Sequence, residues 1–209
     1  NHMLQMLALI AMERPGSFDA QAIRAARQKV LEKVALGGSF GNSVARGQYE
    51  GYKNERGVAP DSQTETHFKI VAGVKNGRWK GVPFVLESCK ALAESRVSVS
   101  VFFKREPHNV LTFSISPREE ISVVFFAKRA GFGFEVEPKR LSFSFGGDPI
   151  AHALGSGYER VLMDCIRGDQ TLFNSTGEVK AQWKFVTSIL EQWGKVPLKI
   201  YKKGSEKTV

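Results

Sequence analysis

Between residues 2 and 13, Leu4, Met6, Leu7, Ile10 and Ala11 put apolar side chains on nearly every face of a helical wheel, predicting a helix buried all round. Pro15 and Gly16 stop it. Asp19 then opens a second helix, in which Ile23, Val30, Leu31 and Val34 recur at helical spacing among Arg24, Arg27, Lys29 and Lys33. Gly37-Gly38 is the expected C-terminal cap. Residues 40–62 are rich in Gly, Asn and polar side chains and contain Pro60, so they are predicted as a long irregular connection.

The hydrophobic period then shortens to two. Residues 67–75, 82–87, 97–104, 110–116, 121–128 and 140–145 read as strands. The third alternates strictly, with Val97, Val99 and Val101 on one face and Ser98, Ser100 and Phe102 on the other. Strands that follow one another without intervening helices predict a largely antiparallel sheet. Its serine-bearing face, which includes Ser114, Ser142 and Ser144 and is expected to carry Phe143 as well, is left for solvent or a partner sheet. After Gly155, Tyr158, Val161, Leu162, Cys165 and Ile166 form one apolar helical stripe ending at Gly168. A last helix is predicted over 177–192 with Val179, Trp183, Val186, Ile189 and Leu190 buried. Helices, strands, then helices is the order of an α+β fold: a large, mainly antiparallel sheet with helices packed on one face.

Composition adds limits. With 209 residues, 42% hydrophobic and 24% charged, the chain suits one sizeable core and excludes wholesale disorder or coiled coil. No apolar run approaches the ~20 residues of a membrane span, and no secretory leader is seen. Cys89 and Cys165 are too few for a disulfide framework, which fits a reducing, cytoplasmic compartment. The net charge of +9 invites nucleic acid, but the densest basic run, at 195–207, reads as a flexible, solvated tail without a stripe of interleaved aromatics. Nucleic acid and membrane are therefore not expected partners; a phosphorylated small molecule suits the charge equally well.

Local motifs are sparse. Gly37-Gly38-Ser39-Phe40-Gly41 follows no predicted strand and lacks Gly-Lys-Ser/Thr, and Gly131-Phe132-Gly133 has no helix behind it. Both read as a cap and a turn, so no dinucleotide-binding fold is predicted. His2, His67, His108 and His152 have no metal-ligand spacing. Cys165 reads as a core residue, and Cys89 stands beside Lys90 without a base in sequence.

Several short strings, in order, resemble one family. Asn1-His2-Met3-Leu4-Gln5 with Ala11-Met12-Glu13-Arg14-Pro15, then Arg46-Gly47-Gln48-Tyr49, Thr64-Glu65-Thr66, Arg78-Trp79 with Gly81-Val82-Pro83-Phe84, Tyr158-Glu159-Arg160, and Gly168-Asp169-Gln170 with Leu172-Phe173 are similar to segments of the glucose-6-phosphate dehydrogenases. The resemblance spans most of residues 1–193 and corresponds to the family's C-terminal domain, used for substrate binding and dimerisation. It implies oxidation of glucose 6-phosphate to the phosphogluconolactone in the pentose phosphate pathway. It also implies NADP, bound mainly by an N-terminal domain expected before Asn1, and a homodimer through the sheet. The isolated 209-residue chain is accordingly expected to be inactive.

His2 matches the family's general base, and a neutral imidazole near pH 7 suits the removal of the C1 hydroxyl proton. The alternative for His2 is a vector-derived terminus. Lys90 matches a lysine that contacts the substrate phosphate, the alternative being a solvated turn residue. Where the family carries Arg and Gly before that lysine, this chain has Glu87 and Cys89. The usual basic residue five positions on is Ser95, with Arg96 beside it as a compensating substrate ligand. Ser116 stands where the family commonly has Gln, and Glu87, Ser114, Ser122 and Val124 match poorly the structural NADP site of the animal enzymes. These departures keep a second reading open: a stand-alone, non-catalytic binding or assembly domain of the same fold.

Overall fold

The computed structural model describes residues 1–145 and 157–206. His152 and Lys207 lie outside the described residues. The chain divides into two units: Asn1–Glu94 with Cys165–Val209, and Ser95–Asp164.

In the first unit, α1 (His2–Ala11) buries Leu4, Leu7, Ala8 and Ala11, a single i, i+3, i+4, i+7 stripe. Leu9 is exposed, so the helix is one-sided rather than buried all round. In α2 (Ala20–Leu31), Asp19 caps the N-terminus by accepting from the Ala22 N–H at 2.8 Å. The helix stops well before Gly37, because Val34 and Leu36 alternate as β1 (Val34–Leu36), which pairs with the strand His67–Val74. Gly37 is needed for close approach: a Cβ there would meet Val71 atoms at 3.3 Å.

The predicted irregular connection instead holds the short helix α3 (Phe40–Ser43) and a strand, β2 (Val44–Tyr49). Its apolar pattern is hidden because Arg46 and Gln48 are buried there. Arg46 Nε donates to the Val196 carbonyl at 2.7 Å, and Gln48 Nε2 donates to the Thr64 carbonyl at 2.9 Å. β3 (His67–Val74) pairs antiparallel with β1, β2 and β4 (Phe84–Cys89). The basic C-terminal segment departs from the expected tail: β9 (Leu198–Tyr201) lies parallel to β2 and buries Tyr201. Its backbone hydrogen bonds to β2 fix it despite the surrounding lysines.

The last helix, α5 (Thr176–Leu190), buries Ile189 and packs Val186 on the core as expected, but otherwise turns a different face inward. Glu178, Ala181, Gln182, Phe185 and Ile189 are buried, while Trp183 and Leu190 are exposed. The cause is an ion pair: Arg27 Nε meets Glu178 Oε1 at 2.7 Å, with the guanidinium also donating to the Thr171 and Phe173 carbonyls, both at 2.9 Å. α1, α2 and α5 cover the sheet through Leu4, Ala8, Leu31, Ala181, Phe185 and Ile189 against Val44 and Ala72.

The second unit holds a separate antiparallel meander of β5 (Val97–Phe102), β6 (Val110–Ser116), β7 (Glu120–Lys128) and β8 (Val136–Ser144). The strands thus divide between two sheets rather than forming one. Register gives the meander a hydroxyl face, with Ser100, Thr112, Ser122 and Ser142 in one row, and an apolar face with Val99, Phe113, Ile121 and Phe143 in another. Phe143 therefore lies opposite the serine face, contrary to the sequence expectation. α4 (Gly157–Arg167) carries the expected apolar stripe, but Tyr158, Leu162, Cys165 and Ile166 are exposed. The stripe marks a face suited to burial without stating that this chain buries it.

Candidate functional site

Lys90 follows directly on β4 and projects from a fixed backbone corner. Its N–H donates to the Thr66 carbonyl at 2.9 Å, and its own carbonyl accepts from the Tyr201 hydroxyl at 2.8 Å. The next residue, Ala91, has φ +56, a left-handed conformation unusual for a residue with a side chain. Tyr201 is 5% exposed and reaches from β9 to the end of β4, sharing a 2.8 Å hydrogen bond with Thr66 Oγ1. Burial pushes its hydroxyl pKa up to about 12, so it stays protonated.

Beside this corner His67 is completely buried, and its Nε2 lies 2.9 Å from Glu87 Oε1. The acid found where the family pattern has Arg therefore meets a buried imidazole across the β3–β4 pair. Burial holds the Cys89 thiol above its ordinary pKa, so the neighbouring Lys90 does not activate it.

His2 is the first residue of α1 and is exposed. Leu7 and Ala11 belong to a cluster with Val30 and Val74, Leu4 and Ala8 to one with Val44, Ala72 and Val196, and the Ala11 carbonyl accepts from Trp79 Nε1 at 2.8 Å. Arg96 is exposed, lies just before β5 and belongs to the second unit. Among the described residues no hydrogen bond links His2, Lys90 and Arg96, and no carboxylate pairs with His2. The sequence reading missed Tyr201 and His67; the Thr64-Glu65-Thr66 string, which leads into β3, was the one local sign of this corner.

The glycine-rich turn at Gly37 is filled by Val71 of the protein's own strand, and Phe132 in the Gly131–Gly133 turn is fully exposed. Among the described residues no helix is long and apolar enough to cross a membrane.

Comparison with known proteins identifies the family. The family model described as glucose-6-phosphate dehydrogenase, C-terminal domain, matches residues 1–208. Glucose-6-phosphate 1-dehydrogenase of Chlamydia pneumoniae is 36% identical over 218 residues, covering 92% of this chain and 42% of that protein. The enzyme of Borreliella burgdorferi is 32% identical, covering 99% of the chain and 48% of its own length. A solved structure of glucose-6-phosphate dehydrogenase in complex with its substrate glucose-6-phosphate superposes with a TM-score of 0.89 at 30% identity, over 100% of this chain and 46% of that one. The glucose-6-phosphate 1-dehydrogenase of Mycobacterium avium gives 0.81 at 30% identity, over 98% and 45%. The chain spans about half the length of the curated relatives it matches. On its sequence and its fold, this chain belongs to the glucose-6-phosphate dehydrogenase family and corresponds to its C-terminal domain.

Proposed function

We propose that this chain supplies the sugar-phosphate side of a glucose-6-phosphate dehydrogenase: His2 as general base, and Lys90 as a cationic ligand of the substrate. The observation that supports the reading is the Lys90 corner, a lysine on a backbone fixed by Thr66 and Tyr201. NADP, usual for the family, supplies the hydride acceptor and is held mainly by sequence outside residues 1–209. This chain's own part is to bind the phosphate through an ammonium and to take the C1 hydroxyl proton onto the neutral His2 imidazole. A cytoplasmic location fits this chemistry.

Lys90→Met tests the phosphate role. A hydrogen bond to a charged group contributes about 1.5–3 kcal/mol, so KM for glucose 6-phosphate in the dehydrogenase polypeptide should rise about 10- to 150-fold with a smaller change in kcat. An unchanged KM would return Lys90 to the status of a turn residue.

We further propose that the hydroxyl face of the β5–β8 meander joins two copies of the chain. Phe102 stands exposed in that face beside Ser100, in keeping with a moderately polar interface between identical strands. Phe102→Lys alters such a two-fold contact twice. Light scattering should then show the mass fall from about 46 to about 23 kDa, two chains against one of 23.2 kDa. An unmutated chain that is already monomeric at micromolar concentration would show the hydroxyl face to be simply wet.

A further inference from the structure

The structure assigns to Tyr201 and the turn after it the task of positioning Lys90 for a phosphate. This rests on the reading of Lys90 as a substrate ligand and adds the device that aims it. Lys90 sits on a strained corner: Ala91 adopts φ +56, a conformation of the kind that persists only where surrounding structure enforces it. The enforcing groups come from far along the chain. The Tyr201 hydroxyl donates to the Lys90 carbonyl at 2.8 Å, the Gly204 N–H donates to the Ala91 carbonyl at 2.8 Å, and the Ala93 N–H donates to the Ser205 carbonyl at 3.1 Å. Gly204 itself has φ +79, which a glycine adopts without steric cost, and so turns its N–H onto the corner.

Two features make this more than general packing. The residues held are Lys90 and its immediate successors, so the bonds act on the base of the candidate ligand. In addition, Tyr201 is anchored independently of Lys90, since β9 pairs with β2 in the register Tyr49↔Tyr201 and the Glu50 N–H donates to the Tyr201 carbonyl at 2.8 Å. A lysine stem has many rotamers, and fixing its backbone reduces the search for a phosphate. Tyr201 is a positioning residue; it touches no reacting atom.

The test is a titration of the 209-residue chain with glucose 6-phosphate, followed through amide and lysine side-chain NMR signals. Lys90→Met tests the ligand, and Tyr201→Phe removes one hydroxyl while keeping the ring. The unmutated chain should bind and shift the Lys90 signals, and Lys90→Met should abolish that binding. Tyr201→Phe should weaken it about fivefold, the effect of one hydrogen bond, with the melting temperature little changed. In a Lys90→Met background, Tyr201→Phe should make no further difference, because its effect passes through the lysine. Should Tyr201→Phe fail to fold, deletion of residues 204–209 removes the Gly204 and Ser205 contacts while Tyr201 stays in place, and should weaken binding likewise. No binding by the unmutated chain, or full binding by Lys90→Met, overturns the ligand reading itself. Loss in Lys90→Met with undiminished binding in folded Tyr201→Phe, or in the deletion variant where Tyr201→Phe does not fold, overturns the positioning role alone.

Discussion

His2→Asn in the dehydrogenase polypeptide should lower kcat by about 10²–10⁴-fold and leave KM for glucose 6-phosphate within about threefold. Asparagine keeps a planar, hydrogen-bonding side chain of similar reach but cannot take a proton near neutral pH. Binding contacts of the ground state thus survive, and the loss falls on the step in which the C1 hydroxyl is deprotonated. The position suits the role: His2 is exposed at the start of α1, and packing of Leu4, Leu7, Ala8 and Ala11 fixes the helix that carries it. Steady-state kinetics measures both constants. An unchanged kcat would make His2 a terminal helix residue without a chemical task.

Glu178→Leu should cost the first unit about 3–5 kcal/mol, the usual loss when one partner of a buried ion pair is removed. Arg27 and Glu178 are 4% and 1% exposed, so neither side chain has water to fall back on. The carboxylate also closes the capping box of α5, accepting from the Ser175 N–H at 2.6 Å. At about 2–4 °C per kcal/mol for a chain of this size, the melting temperature should drop by roughly 6–20 °C. Adding Arg27→Met should recover part of the loss, because the stranded charge goes with it. A single-variant loss under about 1 kcal/mol, by calorimetry or circular dichroism, would show the pair to be water-accessible.

Features that depend on nearby residues were readable from the sequence. The Asp19 cap and the strands from β3 to β8 follow from side chains a few positions apart. What stayed hidden depends on distant partners. β2 fills inward positions with Arg46 and Gln48, whose carbonyl acceptors are at Val196 and Thr64, so it shows no apolar alternation. β9 has four residues and a parallel partner far back in the chain, and its lysines made it look like a tail. On α5 the buried face was misplaced because Glu178 turns inward to meet Arg27, leaving Trp183 in solvent. At the site, His2 and Lys90 could be named through the family resemblance alone. The hold of Tyr201 on the Lys90 carbonyl needed β9 in place, and nothing local in the sequence announces it.

We propose that this chain carries the substrate side of a glucose-6-phosphate dehydrogenase, with the nicotinamide held by other sequence. NADP reduction with glucose 6-phosphate, measured for residues 1–209 alone and for any longer polypeptide that carries these residues, tests it most directly. The account predicts no turnover by residues 1–209 and turnover by the longer chain. Turnover by residues 1–209 alone would contradict that placing of the nicotinamide, and an inactive longer chain would favour a non-catalytic domain of the same fold.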